Sequence, residues 1–180
     1  LRYCCDGIPF LEPGDQLICM LPLAHMFGLM VEMLHPLAQG CHINFLNRTP
    51  SPTIIMAAFA EVRPQLIVSV PLIIDKIIRT RVFPMLDKPL MKVLMHVPFV
   101  DKKLFARIRE RIIETFGGNV IEMIIGGAAL NKDVEEFLIK IGFPFTVGYG
   151  MTECGPLISY CQWDSQKKGS CGRIVDRMEA

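Results

Sequence analysis

The chain has 180 residues, about half of them apolar (51%) and a fifth charged (21%), enough for one or two small domains with a real core. Its formal net charge is +1, so nothing in the charge balance points to nucleic acid or to an acidic partner. The seven cysteines, at 4, 5, 19, 41, 154, 161 and 171, are odd in number and form no paired Cys-x-x-Cys motif. That pattern indicates neither a disulfide scaffold nor a zinc site and fits a reducing, cytoplasmic setting; no signal peptide is visible.

In chain order, Gln16 to Leu21 is a short apolar run and Phe27 to Leu37 has helical length. Gly40 punctuates, and Cys41 to Leu46 reads as a second strand. From Leu17 to Asn47 the one charged side chain is Glu32, but Pro22, Gly28, Pro36 and Gly40 interrupt the stretch. It reads as buried strand, helix, buried strand rather than a membrane span. Ser51 followed by Pro52 is an N-cap with proline in the first helical position, and that helix runs to about Val62. Leu66 to Val70 is a buried strand, and Pro71 starts a helix ending near Arg81. Met85 to Met95 is apolar and broken by prolines, and the loop around Pro84 to Pro89 is where a subdomain seam is expected.

Asp101 to Phe116 is amphipathic, with Leu104, Phe105, Ile108, Ile112, Ile113 and Phe116 on one face and Gly117-Gly118 as its stop. Lys102, Lys103, Arg107, Arg109 and Arg111 form a basic face that Asp101, Glu110 and Glu114 dilute, which favours a solvated face over membrane docking. Val120 to Ile125 is a strand. Asn131 is expected to cap the next helix, with Asp133, Glu135 and Glu136 near its positive end. Gly142 and Pro144 end that helix, Phe143 to Val147 is a short strand, and Arg173 to Val175 starts another. The alternation implies an α/β fold: a doubly wound, mainly parallel sheet with helices on both faces.

Two strand ends open into small residues: Gly126-Gly127-Ala128, and Gly148-Tyr149-Gly150-Met151-Thr152-Glu153. Such turns let backbone approach a flat, charged ligand closely. Tyr149 offers an aromatic face to a base, Thr152 a hydroxyl to a phosphate, and Glu153 hard oxygens to a magnesium ion. A lone Gly-x-Gly is a weak signal, and an ordinary strand-to-loop turn is the plainer reading of either turn. His25 follows a strand and precedes a helix, at the edge where α/β sheets bind ligands, although a lone histidine among apolar residues is more often a satisfied core side chain. His35, His42 and His96 lack metal-ligand spacing and read as structural. Met26, Met30 and Met33 could line an apolar tunnel, with core packing the plainer role.

The two turns resemble linked signatures of the adenylate-forming superfamily, which includes acyl-CoA synthetases, luciferases and peptide-synthetase adenylation domains. Three further stretches agree, in family order and over nearly the whole chain: Leu21-Pro22-Leu23-Ala24-His25-Met26-Phe27-Gly28, Ser69-Val70-Pro71, and Gly169-Ser170-Cys171-Gly172-Arg173. Leu-Pro-Leu-x-His with Val134-Glu135-Glu136-Phe137-Leu138 most resembles the long-chain acyl-CoA synthetases. The resemblance implies that fatty acid and ATP give acyl-adenylate and pyrophosphate, with transfer to CoA following.

By the same resemblance, Gly126, Gly127, Ala128, Gly148, Tyr149, Gly150, Met151 and Thr152 hold the nucleotide. Thr152 bonds the α-phosphate, Glu153 binds Mg2+, and these two are the catalytic pair. His25 and Met26 face the acid, His25 as a gate or wall rather than a base. Cys154 stands where the family has Thr or Ser. The family's phosphate-binding loop is expected before Leu1, and its ribose-binding Thr-Gly-Asp and lysine-bearing C-terminal lid domain after Ala180. The 180 residues therefore read as the central fragment of an adenylation domain, inactive alone. The resemblance leaves open a fatty acyl-AMP ligase, an aryl-CoA ligase, a luciferase-like oxidase or a non-catalytic nucleotide-binding scaffold. It also leaves open acyl chain length, oligomeric state and peripheral membrane association.

Overall fold

Four of the five parallel strands are short and mostly apolar because both of their faces are covered; the strand at His42–Phe45, expected to be buried, instead lies at the sheet edge with none of its four residues buried. β1 (Gln16–Cys19), β2 (His42–Phe45), β3 (Leu66–Ser69), β4 (Glu122–Ile125) and β5 (Phe145–Val147) form one wholly parallel sheet of order β2-β1-β3-β4-β5. The computed structural model describes residues 2–86, 101–176 and 178–179. The apolar, proline-broken segment from Met85 falls outside the described residues from 87 to 95, as do positions 87–89 of the expected seam and His96.

Alternate strand residues point to opposite faces, and the core divides accordingly. Ile18, Ile67, Met123, Ile125, Phe145 and Val147 belong to one apolar cluster, whereas Leu17, Leu66, Val68 and Ile124 belong to another. The first cluster is covered by α3 (Pro52–Val62), α4 (Pro71–Ile77), α5 (Asp101–Thr115) and α6 (Lys132–Ile141). The second is covered by α1 (Arg2–Gly7) and α2, which begins at Met26–Gly28, passes through a π-helical stretch Leu29–Leu34 and closes over His35–Gln39. Helices on both faces of a mainly parallel sheet are therefore the observed architecture. Among the described residues no helix is long and apolar enough to cross a membrane.

Local chemistry sets the helix ends. The Ser51 hydroxyl accepts the Ile54 N–H at 3.4 Å, and Pro52 fills the first position of α3. α3 stops at Arg63, which is left-handed at φ 55° and sends its Nε to the Gly117 carbonyl at 2.9 Å. Gly117 has φ +101°, and a Cβ there would lie 2.5 Å from the Phe59 carbonyl oxygen, so glycine is required where α3 and α5 end against each other. Phe59 and Phe116 seal that junction edge to face, 5.5 Å between centroids. Asn131 departs from expectation. It occupies the N-cap position of α6, but its side chain makes no capping bond, and Asp133 and Glu135 supply the first-turn negative charge.

A second sheet was not expected. β6 (Tyr149–Gly150), β7 (Leu157–Tyr160) and β8 (Arg173–Ile174) pair antiparallel, and Leu157, Tyr160 and Val175 join the second core cluster. Of its strands, the one at Arg173–Ile174 matches the strand expected from Arg173 to Val175; the other two were not expected. A two-residue strand containing glycine carries no periodicity to read.

Candidate functional site

Three parallel strands end level with one another: Ser69 pairs with Ile125, and Ile125 with Val147. The ladder runs one residue further, where the Gly126 N–H donates to the Ser69 carbonyl at 3.1 Å and the Gly148 N–H to the Ile125 carbonyl at 2.9 Å. The two glycine turns are thus neighbours at the carboxyl edge of the sheet. Gly127 then takes φ +85°, a conformation that side chains rarely adopt. Val70, which precedes Pro71 at the start of α4, lines the same spot.

His25 reaches this edge by a separate route. The Glu32 carboxylate accepts the N–H groups of Met20 (3.1 Å) and Leu21 (2.8 Å) just beyond β1. The chain then turns, with the His25 N–H on the Pro22 carbonyl at 2.9 Å. His25 is the N-cap of α2, and its Nδ1 accepts the Phe27 N–H at 3.2 Å, which leaves Nε2 for other partners. The Phe27 ring lies against Gly126: a Cβ on that glycine would be 2.9 Å from Cζ. Phe27 therefore brings the His25–Met26 turn to the first glycine turn.

Past Gly148 the chain enters β6, and a Cβ on Gly150 would collide with the Pro156 carbonyl. The Met151 N–H donates to that carbonyl at 2.8 Å, Thr152–Cys154 makes one 3₁₀ turn, and Gly155 closes it at φ 69°. Tyr149 is 55% exposed, Met151 46%, and Thr152 and Glu153 are exposed too. Among the described residues Glu153 has no hydrogen bond or ion pair that would occupy its carboxylate. No group of three or more metal-ligating side chains occurs among them. A magnesium ion suits such a site, because it is held through one or two carboxylates with phosphate oxygens and water completing the shell.

The stretch Gly169–Arg173 acts as a clamp. The Gln166 Oε1 accepts the Thr146 hydroxyl at 3.0 Å, and its Nε2 donates to the Ser170 carbonyl at 2.7 Å. The Gly169 N–H donates to Glu135 at 2.8 Å, and Lys168 pairs with Glu136. This loop is thereby fastened to β5 and α6.

Met30 is buried in the second core cluster, and Met26 packs against that cluster. His35 is fully buried and its imidazole is held well below its ordinary value, at about 4, chiefly by burial. His42 is an edge residue beside Gln16. The reading from sequence missed two buried carboxyls. Burial pushes Glu32 up to about 7 against its backbone hydrogen bonds, and does the same to Glu122, which accepts the Tyr160 hydroxyl. Each had a signal as the single charge in an apolar run, Leu17 to Asn47 for Glu32 and Val120 to Ile125 for Glu122. A cavity of about 320 Å³ lined by Asp6, Pro9, Tyr160, Cys161 and Arg173 lies elsewhere, between α1 and the second sheet, and none of the candidate site residues lines it.

Residues 2–180 match the family model for AMP-binding enzymes. Long chain acyl-CoA synthetase 8 of Arabidopsis thaliana is 26% identical over 92% of this chain and 26% of its own length. 4-Coumarate–CoA ligase 2 of Oryza sativa subsp. japonica is 29% identical over 92% of this chain and 25% of its own. In solved structures, the fold matches o-succinylbenzoate coenzyme A synthetase from Bacillus subtilis, in complex with ATP and magnesium ion. That match has TM-score 0.66 and 16% identity, and covers 97% of this chain and 30% of that one. The chain thus spans about a quarter of the length of the curated relatives it matches.

Proposed function

The chain belongs to the AMP-binding enzyme family, and we propose that it is the central part of an ATP-dependent acid–thiol ligase acting on a long-chain fatty acid. The observation that carries this is the pairing of Ile125 with Val147, which sets the Gly126–Ala128 and Gly148–Tyr149 turns side by side. A purine fits between them, against the exposed ring of Tyr149. Gly126, Gly127, Ala128 and Gly148 present backbone to it. Gly150 and Met151 hold the following loop by their contacts with Pro156.

In the proposed reaction the acid's carboxylate attacks the α-phosphorus of ATP, the bond to pyrophosphate breaks, and an acyl-adenylate forms. The thiol of CoA then displaces AMP. The Thr152 hydroxyl donates to an α-phosphate oxygen and steadies the charge that builds there. Glu153, exposed and unpaired among the described residues, would hold Mg2+, which when bound offsets phosphate charge. The carboxylate is ionised near neutral pH and needs no base. His25, held by its own cap bond, therefore acts with Met26 as a wall of the acid subsite.

The fatty-acid assignment rests on the Leu21–Phe27 resemblance, supported by the Arabidopsis relative. The rice 4-coumarate–CoA ligase, at 29% identity, favours an aryl acid as the second reading. Acid-dependent ATP–pyrophosphate exchange by the full-length protein separates them. Exchange with palmitate well above that with 4-coumarate is expected; the reverse ranking selects the aryl acid, and no exchange with any acid removes the ligase reading.

A further inference from the structure

β1 ends at Cys19, opposite Phe45 of β2. Beyond it the amides of Met20 and Leu21 leave the ladder, and a buried N–H without an acceptor is destabilising. One oxygen of Glu32, a fully buried residue, accepts both. Glu32 lies in the π-helical stretch Leu29–Leu34 of α2. Such a stretch shifts the helical register and re-aims side chains, and it is frequent at functional sites. A carboxyl in an otherwise apolar core is costly unless it is used, and here it ties the end of β1 to the helix that follows.

The turn between them is fixed from both sides. Its Pro22 carbonyl accepts the His25 N–H and lies 2.8 Å from where a Cβ on Gly28 would be, so helix and turn are in direct contact. Phe27 then seats on Gly126. We infer that Glu32 is a positioning residue for the acid subsite: through the Met20 and Leu21 amides it sets where the Pro22–Phe27 turn, and with it His25, stands relative to the Gly126 turn. This rests on the ligase reading for its kinetic consequence, but not for its structural one. Both amides rest on one acceptor atom, Oε2, and the Cys19 thiol at the end of β1 is the remaining side-chain partner of the carboxyl.

The test compares wild type with Glu32→Gln, Glu32→Met and Glu32→Asp in the full-length protein. Glutamine keeps one acceptor oxygen at the same reach. Methionine keeps volume and removes the acceptor. Aspartate keeps the carboxyl but draws the acceptor back by one methylene. The expected result is kcat/KM for the acid within about threefold of wild type in Glu32→Gln and down on the order of tenfold or more in Glu32→Met, with the KM for ATP within about twofold. Amide exchange should accelerate over Met20–Phe27 in Glu32→Met and not in β3 or β4. If Glu32→Met does not fold, Glu32→Asp decides by the same two readouts. Unchanged acid kinetics with unchanged exchange in the acceptor-removing or shortened variant overturns the inference, as does an equal rise in the KM values for acid and ATP. A wild-type protein inactive with every acid refutes the ligase reading, while amide exchange still decides the role of Glu32.

Discussion

The Tyr160 hydroxyl donates a 2.6 Å hydrogen bond to the buried carboxyl of Glu122, joining the antiparallel sheet to the amino end of β4. The Trp163 N–H adds a longer contact at 3.5 Å to the other oxygen. Tyr160→Phe leaves Glu122 with that contact alone. The expected loss is about 1–3 kcal/mol of unfolding free energy, measured by denaturant titration at constant m-value.

The same carboxyl makes stability depend on pH. Its folded value is raised from 4.5 to about 7, mainly by burial, so the folded state binds the proton more tightly than the unfolded chain. Its contribution is fully present below about 4.5 and is lost as pH rises through about 7, a change of roughly 3 kcal/mol. Glu32 adds a slope of the same sign. His35, lowered from 6.5 to about 4, opposes both, its contribution being lost as pH falls through that window. The difference in unfolding free energy between wild type and Glu122→Gln isolates the first group. Wild type should lose stability relative to Glu122→Gln as pH rises from 4.5 through about 7 and level off above that; a difference independent of pH contradicts the assignment.

Gly126 is a point of close approach rather than of unusual backbone. A methyl there meets the Phe27 ring at 2.9 Å, and the ring must move. Gly126→Ala should cost about 1–3 kcal/mol of stability by overpacking. Restoring room with Phe27→Leu in the same chain should recover at least half of that loss, a coupling read by a double-mutant cycle.

Thr152 and Glu153 are exposed, so their replacement should leave stability almost unchanged. Glu153→Gln and Thr152→Ala should each lower the rate of acid-dependent pyrophosphate release by about 10²–10³-fold in the full-length protein, with melting temperature within a degree or two. A Glu153→Gln variant as fast as wild type would remove that carboxylate from the site.

The parallel strands and every helix covering the sheet except α1 were legible in the sequence because their signals are local; α1, six residues without a cap signal, was not expected. Ser51-Pro52 starts α3, Gly142 stops α6 in a left-handed cap, and unbroken apolar runs mark strands covered on both faces. The two glycine turns were legible as turns, but their adjacency was not: it depends on the Ile125–Val147 register, a relation between distant segments. The antiparallel sheet escaped for a related reason, since β6 has only Tyr149 and Gly150 and is made a strand by its partner Leu157–Tyr160. Glu32 and Glu122 stood in apolar runs as exceptions, and what each one holds appears only when the chain is folded.

In the proposed function the two neighbouring strand tips cradle the nucleotide. A crystal structure of the full-length protein with magnesium and a non-hydrolysable ATP analogue decides this. The purine should lie between the Tyr149 ring and the Gly126–Ala128 backbone, with the metal bound through Glu153. A purine bound away from Tyr149, or a metal held without Glu153, would contradict it.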